Sequence, residues 1–154
     1  MEQHLLTAPL SILLIEGNVK ASFLFIDTFK DEAMISIEVV RSLESGVKRL
    51  KEDVHFDVVI CDLNLPDSNY KQTLNLIEKM RFTPIILWSN EMLGNPKIPF
   101  ISKEKLTDGR SAFKQHVVDV ISETKDNQLK DLIVSFGNLV DKIEKINSQL
   151  GSDM

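Results

Sequence analysis

The sequence is short of several features, and each shortage excludes a class of protein. A single cysteine, Cys61, cannot form an internal disulfide, which is typical of proteins in a reducing compartment. The net charge of −5 argues against a dedicated nucleic-acid binder, which needs a basic surface to meet phosphates. No apolar run approaches the length of a membrane span, and residues 1–10 lack a signal-peptide pattern. These shortages predict a cytoplasmic protein without membrane or nucleic-acid partners.

Short apolar runs that stop at a polar residue recur along the chain. Residues 58–61 are too few for a helix and are apolar throughout, which indicates a strand buried on both faces. Residues 11–15 and 84–88 form runs of the same type, and residues 99–101 form a shorter one. Residues 35–39 alternate apolar with polar side chains, as a half-exposed edge strand does. The pattern predicts five strands, of which the first, third and fourth are central.

Stretches with helical periodicity separate most of these runs. Asn18 and Ser42 are predicted N-caps of the first two helices. The predicted inward-facing residues of four helices are Val19, Phe23 and Ile26; Leu43, Val47 and Leu50; Leu74, Ile77 and Met80; and Phe113, Val117, Val120 and Ile121. Alternating strands and helices favour a parallel sheet with right-handed crossovers. The expected fold is α/β, a flavodoxin-like, doubly wound, five-stranded parallel sheet of order 2-1-3-4-5.

A polar residue follows or ends each of four predicted strands. Because parallel strands place their carboxyl ends at one edge of the sheet, these residues should share one crevice. They are Glu16, Asp62, Ser89 and Lys103. Two carboxylates, a hydroxyl and an ammonium together could bind an anionic group if the negative charges were neutralised.

In these residues and their order, the sequence resembles the receiver domain of two-component response regulators over roughly residues 11–123. The resemblance implies that Asp62 accepts a phosphoryl group, with Lys103 and Ser89 in contact with it. It implies Mg²⁺ as the cofactor, held by Glu16, Asp62 and the backbone carbonyl of Asn64. Ser89 and Phe100 match the switch residues of the family, and Pro66 matches a proline of the loop after the third strand. A histidine kinase or a phosphotransfer protein is the implied partner, and the chain is expected not to be an enzyme.

The sequence departs from the family pattern at three places. Gly17 stands where the family usually has a second acidic residue, which should weaken Mg²⁺ binding. Glu104 stands where a proline usually follows the lysine. Residues 90–99 are few for a crossover that contains a helix, so the fourth helix is expected to be missing or shortened. We therefore expect an atypical receiver.

The carboxyl-terminal tail carries apolar residues at alternating spacings of three and four, which is a heptad seam. They are Leu129, Leu132, Phe136, Leu139, Ile143, Ile146 and Leu150. The seam predicts a coiled-coil-like helix that either pairs with a second copy, as a homodimer, or docks on its own domain. The expected organisation is an extension over residues 1–10, a receiver-like domain over 11–124, this helix over 125–150 and a tail over 151–154.

Two other readings of the function remain open. The first is a pseudo-receiver, in which the same fold serves as a protein interaction module without phosphorylation. The second is an enzyme or carrier: a phosphatase of the haloacid dehalogenase type or a flavin carrier. The phosphatase type needs a second acid where Asn64 stands, and residues 16–20 make a poor flavin phosphate loop.

Overall fold

The computed structural model describes residues 9–69, 71–73, 75, 83–90 and 99–152. Five strands are present: β1 (Leu10–Ile15), β2 (Ile35–Val40), β3 (Val58–Asp62), β4 (Ile85–Ser89) and β5 (Phe100–Ser102). The helices are α1 (Val19–Thr28), α2 (Leu43–Lys51), a 3-10 helix (Lys103–Asp108) and α3 (Arg110–Ser152). Residues 71–73 and 75 are also helical. The predictions for Leu74, Ile77 and Met80 and for a missing or shortened fourth helix fall on residues 74, 76–82 and 91–98, outside the described residues.

The strands form one parallel sheet in the order β2-β1-β3-β4-β5. The predicted order is therefore confirmed, and so is the edge position of β2. The central strands β3 and β4 are buried at every position, whereas no residue of β2 is fully buried. Continuous apolar runs could fill the centre of the sheet because both of its faces are covered there.

The two faces of the sheet bury separate apolar clusters, because successive strand residues point to opposite sides. One cluster includes Ile12, Ile60 and Trp88 and packs against α1 and the first turns of α3. The other includes Leu13 and Val59 and packs against Leu43 and Leu50 of α2. The predicted inner face of α3 is confirmed: Phe113, Val117 and Ile121 are buried, and Val120 packs against the same cluster.

The prediction for α1 was wrong. Val19, Phe23 and Ile26 are 68%, 65% and 41% exposed, and the helix instead buries Ser22, Phe25 and Thr28. Burial of the two hydroxyls is inexpensive because each donates a hydrogen bond within the helix, Ser22 to the Val19 carbonyl at 2.9 Å and Thr28 to the Leu24 carbonyl at 2.8 Å. Because Ser22 and Thr28 form their hydrogen bonds within the helix, the face that carries them can be buried. Hydrophobic periodicity alone therefore predicts the wrong face of α1.

The caps that begin the first two helices are those predicted. The Asn18 side chain accepts a hydrogen bond from the Ala21 amide at 2.9 Å, and the Ser42 hydroxyl accepts one from the Ser45 amide at 3.1 Å. The Asp67 carboxylate, from the loop after β3, also accepts hydrogen bonds from the first two amides of α2, at 2.8 and 2.9 Å. These bonds hold the loop after β3 against α2.

Helix α3 runs for 43 residues without interruption, from the domain into the tail. It passes through the predicted boundary between residues 124 and 125 without a break. Just before it leaves the domain, Lys125 lies 3.6 Å from the carboxylate of Asp57. No helix among the described residues is both long and apolar enough to cross a membrane.

Candidate functional site

Three charged side chains meet at the carboxyl edge of the sheet. Glu16 directly follows β1, Asp62 is the last residue of β3, and Lys103 directly follows β5. These strands are parallel, so their ends bring together residues that are far apart in sequence. Glu16 is fully buried and Asp62 is 4% exposed.

The ammonium group of Lys103 bridges the two carboxylates. Its Nζ lies 3.1 Å from Oδ2 of Asp62, 3.1 Å from Oε1 of Glu16 and 3.0 Å from Oε2 of Glu16. Two backbone amides also donate to the carboxylates: that of Asn18 to Glu16 Oε1 at 3.2 Å, and that of Asn64 to Asp62 Oδ1 at 3.0 Å. Glu16 Oε2 has no well-aligned hydrogen-bond donor among the described residues.

One ammonium group does not neutralise two carboxylates, and the pKa of Glu16 is raised. Burial, together with a hydrogen bond to the Asp62 carboxyl, raises the pKa of Glu16 to about 7, although Lys103 acts in the opposite direction. The adjacent Cys61 thiol is also affected: burial, with the charges of Asp62 and Glu16, raises its pKa to about 12. Cys61 is therefore inert packing, since a thiolate is the reactive form.

Gly17 is closed off by the loop after β3. A Cβ atom added at Gly17 would lie 2.9 Å from Cδ of Pro66 and 3.3 Å from the Arg41 carbonyl oxygen. Both neighbours are rigid, one a proline ring and the other backbone. The packing around residue 17 therefore leaves no room for the side chain of a second acidic residue.

Some of the oxygen donors that Mg²⁺ would need are present at this edge of the sheet. Glu16 Oε2 is a buried oxygen whose described contact is the Lys103 ammonium at 3.0 Å, and Asp62 presents a second carboxylate beside it. Oxygen donors of this kind suit Mg²⁺, which keeps several of its waters. However, no group of three or more His, Cys, Asp or Glu side chains in the described part of the chain is placed to hold a metal, and the Lys103 ammonium already lies between the two carboxylates.

The other predicted site residues lie nearby but are not all in the same cleft. A cleft of about 490 Å³ is lined by Glu16, Asn18, Lys20, Ala21, Leu24, Asp62, Asn64, Asn90, Lys103, Leu106 and Thr107. Asn64 therefore lies at the site. Ser89 ends β4 at the same sheet edge and is 1% exposed, but Asn90 rather than Ser89 lines the cleft. Phe100 begins β5, is half-buried and pairs with Leu87.

The contacts that Arg41 and Trp88 make at the site were not predicted from the sequence. Arg41 donates hydrogen bonds from Nη1 to the Glu16 carbonyl at 3.3 Å and to the Ser22 hydroxyl at 2.5 Å, which ties the end of β1 to α1. Trp88 lies with its ring 5.1 Å below the Lys103 ammonium. Both residues act through contacts between distant elements, for which local sequence patterns carry no signal.

The predicted seam of α3 forms an exposed apolar stripe. Its seven members are 49–68% exposed: Leu129, Leu132, Phe136, Leu139, Ile143, Ile146 and Leu150. Ile133 is 61% exposed beside them. The stripe does not dock on the described part of its own domain. An exposed stripe of this length is unusual on a soluble monomer.

Known structures with the same fold were found by structural comparison. The chemotaxis response regulator CheY4 of Vibrio cholerae shares 16% identity with a TM-score of 0.58, over 73% of this chain and 99% of that one. A response regulator receiver protein from Sinorhizobium medicae WSM419 shares 17% with a TM-score of 0.60, over 78% and 97%. The signal receiver domain of an HD domain-containing protein from Pseudomonas fluorescens Pf-5 shares 14% with a TM-score of 0.62, over 83% and 98%. No protein-family model and no curated protein matches the chain.

Proposed function

Given that this chain has the fold of response regulator receiver domains, we propose that it is an atypical signalling receiver in which Asp62 accepts a phosphoryl group from a histidine kinase or a phosphotransfer protein. The observation that carries the proposal is the Lys103 ammonium, 3.0–3.1 Å from the carboxylates of both Glu16 and Asp62 at one sheet edge. A carboxylate can attack a phosphoryl group only where positive charge offsets the repulsion between them. Lys103 supplies that charge.

The proposed reaction is the transfer of a phosphoryl group between a histidine nitrogen and a carboxylate oxygen. Asp62 attacks the phosphorus of a phosphohistidine, an O–P bond forms as the P–N bond breaks, and the imidazole leaves and takes up a proton. Lys103 moves from bridging two carboxylates to contacting the new phosphoryl oxygens. The Asn64 amide holds the Asp62 carboxylate in place by its hydrogen bond of 3.0 Å.

Mg²⁺ is the cofactor that this function would use. Glu16 and Asp62, with the backbone carbonyl of Asn64, are the residues that would hold it. When bound, it would supply further charge neutralisation at the phosphoryl oxygens. With Gly17 contributing no ligand, we expect its affinity to be low.

The fluorescence of Trp88 tests the proposal, because its buried ring lies 5.1 Å from the Lys103 ammonium. We expect a saturable change on addition of beryllofluoride, a phosphoryl mimic, together with Mg²⁺. The change should be absent in Asp62→Asn and present in the control Asp108→Asn, whose carboxylate is 52% exposed and pairs with Lys105. An Asp62→Asn variant that responds like the wild type would contradict the proposal.

The second candidate is a pseudo-receiver, a protein interaction module that is not phosphorylated. It is favoured by the closed position at Gly17, where Pro66 leaves no room for a second acidic side chain. A folded wild-type protein that shows no response to beryllofluoride with saturating Mg²⁺ would favour this candidate. Its interactions would then be independent of Asp62.

Self-association through the α3 seam is the second part of the proposal. The seven seam residues form an exposed stripe that needs a partner, and a second copy of the same stripe is self-complementary. We expect the wild type to sediment as a dimer and Leu139→Asp as a monomer. Val134 is a matched control: it is 62% exposed but is two residues from Leu132 and Phe136, about 200° around the helix. Val134→Asp should sediment as the wild type, and a monomeric wild type would contradict self-association.

A further inference from the structure

The Lys103 ammonium is contacted by more than the two carboxylates. Its Nζ lies 5.1 Å from the ring centroid of Trp88, within the range of a cation–π interaction. Trp88 is fully buried, and the Lys103 side chain is only 13% exposed. Cation–π contacts are strongest where water is excluded in this way. The ammonium thus has carboxylates on one side and an indole face on another.

The indole ring is itself held by aromatic packing from two helices. Its centroid lies 5.0 Å from that of Phe25 in α1 and 6.4 Å from that of Phe113 in α3. Phe25 and Phe113 also meet edge to face at 6.0 Å, so the three rings support one another. These contacts restrict the positions that the indole ring can take.

Packing alone does not explain an indole at this position. The Trp88 Nε1–H is buried and has no hydrogen-bond partner among the described residues. Within the described residues nothing offsets the cost of burying this donor, and a phenyl ring would avoid that cost. The interaction that an indole makes more strongly than a phenyl ring is the one with the ammonium.

We propose that Trp88 is a positioning residue for Lys103, whose indole face orients the ammonium toward Glu16 and Asp62. Lysine carries its charge on a flexible four-carbon stem, so a fixed surface beneath the ammonium limits the positions that it can take. The orientation of Lys103 is independent of the proposed function. Its consequence for phosphoryl transfer rests on that function.

A double-mutant cycle tests the contact without any phosphoryl chemistry. Unfolding in urea, followed by circular dichroism, is measured for Trp88→Leu, Lys103→Met and the double variant. We expect the two substitutions to be coupled by about fivefold or more in the unfolding equilibrium constant. In Trp88→Phe, which keeps a smaller π face, part of this coupling should return. The control pair is Phe29→Leu with Lys103→Met. Phe29 belongs to the same aromatic cluster, with its ring centroid 5.3 Å from that of Phe25. The effects of these two substitutions on the free energy of unfolding should be additive. Additivity of Trp88→Leu with Lys103→Met would overturn the proposal.

The fluorescence of Trp88 gives a spectroscopic signature of the same contact. Loss of the ammonium in Lys103→Met should shift the emission maximum. Lys105→Met, in the same 3-10 helix but with a side chain that is 51% exposed, should leave the emission unchanged. Identical spectra for Lys103→Met and the wild type would contradict the contact.

Labelling by a small phosphodonor such as acetyl phosphate separates this inference from the proposed function. We expect Trp88→Leu to lose about tenfold or more in the maximal labelling rate, with Trp88→Phe intermediate between Trp88→Leu and the wild type. Labelling of a folded Trp88→Leu variant at the wild-type rate would overturn the positioning role. A wild type that is not labelled at all would contradict the phosphoacceptor function, while the mutant cycle would still decide whether Trp88 holds Lys103.

Discussion

Pro66 occupies the space into which a side chain at Gly17 would extend: its Cδ lies 2.9 Å from the position of a Cβ there. The loop after β3 and the turn after β1 thus fit together only because residue 17 has no side chain. We expect Gly17→Ala to lower the free energy of unfolding by about 1–3 kcal/mol, the usual cost of overpacking. Urea unfolding of the purified variant measures it.

The cause of that loss can be checked with Pro66→Ala, which removes the ring atoms nearest to residue 17. The double variant should be more stable than the sum of the two single effects predicts, because the clash is gone. Simple additivity would show that the loss comes from the Arg41 carbonyl or from the backbone of the turn instead.

Glu16 should make the stability of the protein depend on pH. Its pKa is raised from 4.5 to about 7, so the folded state holds this proton more tightly than the unfolded state does. The associated stability is fully present below pH 4.5 and is lost as the pH rises through about 7. Unfolding measured across this range should show Glu16→Gln with a flatter dependence than the wild type. Glu104→Gln, an exposed control in the 3-10 helix, should keep the wild-type slope.

The same substitution at two neighbouring phenylalanines of α1 should have opposite outcomes. Phe25 is fully buried, and Phe25→Ala should cost about 3–5 kcal/mol of unfolding free energy. Phe23 is 65% exposed, and Phe23→Ala should change it by no more than about 0.5 kcal/mol. Comparable losses at both positions would mean that the outward face of α1 is covered in solution.

Gly137 lies beside the middle of the α3 seam and has a low helix propensity. A Cβ atom added there would meet nothing within 4 Å, so Gly137→Ala should stabilise the helix by about 1 kcal/mol. Thermal unfolding at a fixed protein concentration, followed at 222 nm, measures the gain. Gly46→Ala in α2 is the contrasting substitution, since its Cβ would lie 2.5 Å from Cδ1 of the buried Ile15. It should lose stability, and a gain at both positions would show that helix propensity outweighs packing.

The sheet could be predicted from the sequence because strand burial leaves a direct trace in composition. Runs such as residues 58–61 are apolar on both faces only if they are central, and the carboxyl ends of parallel strands must converge. The proximity of Glu16, Asp62 and Lys103 follows from these two facts alone. Their catalytic and metal-binding roles stay predictions.

Other features could not be predicted because they depend on contacts that periodicity does not record. The prediction of the buried face of α1 was wrong because the hydroxyls of Ser22 and Thr28 donate hydrogen bonds to carbonyls of the same helix and can therefore be buried. The contact of Pro66 with the turn at Gly17 depends on the conformation of a loop. The contact of Trp88 with Lys103 depends on how the ends of two neighbouring strands face each other. No glycine or proline lies between residues 110 and 136, which suits the unbroken course of α3, but it also leaves no sequence signal for where the domain ends, so the boundary between residues 124 and 125 stays a prediction.

Because α3 is unbroken, a tilt at its buried end would be amplified along the tail. About 30 residues of α3 extend beyond Ile121, its last buried residue, which corresponds to about 45 Å of rigid rod. A tilt of about 5° at the buried end would displace the far end by about 4 Å, roughly three-quarters of the rise of one helical turn. Two such rods joined along their seams would convert a small rearrangement around Phe113 into a change in the separation of two whole domains.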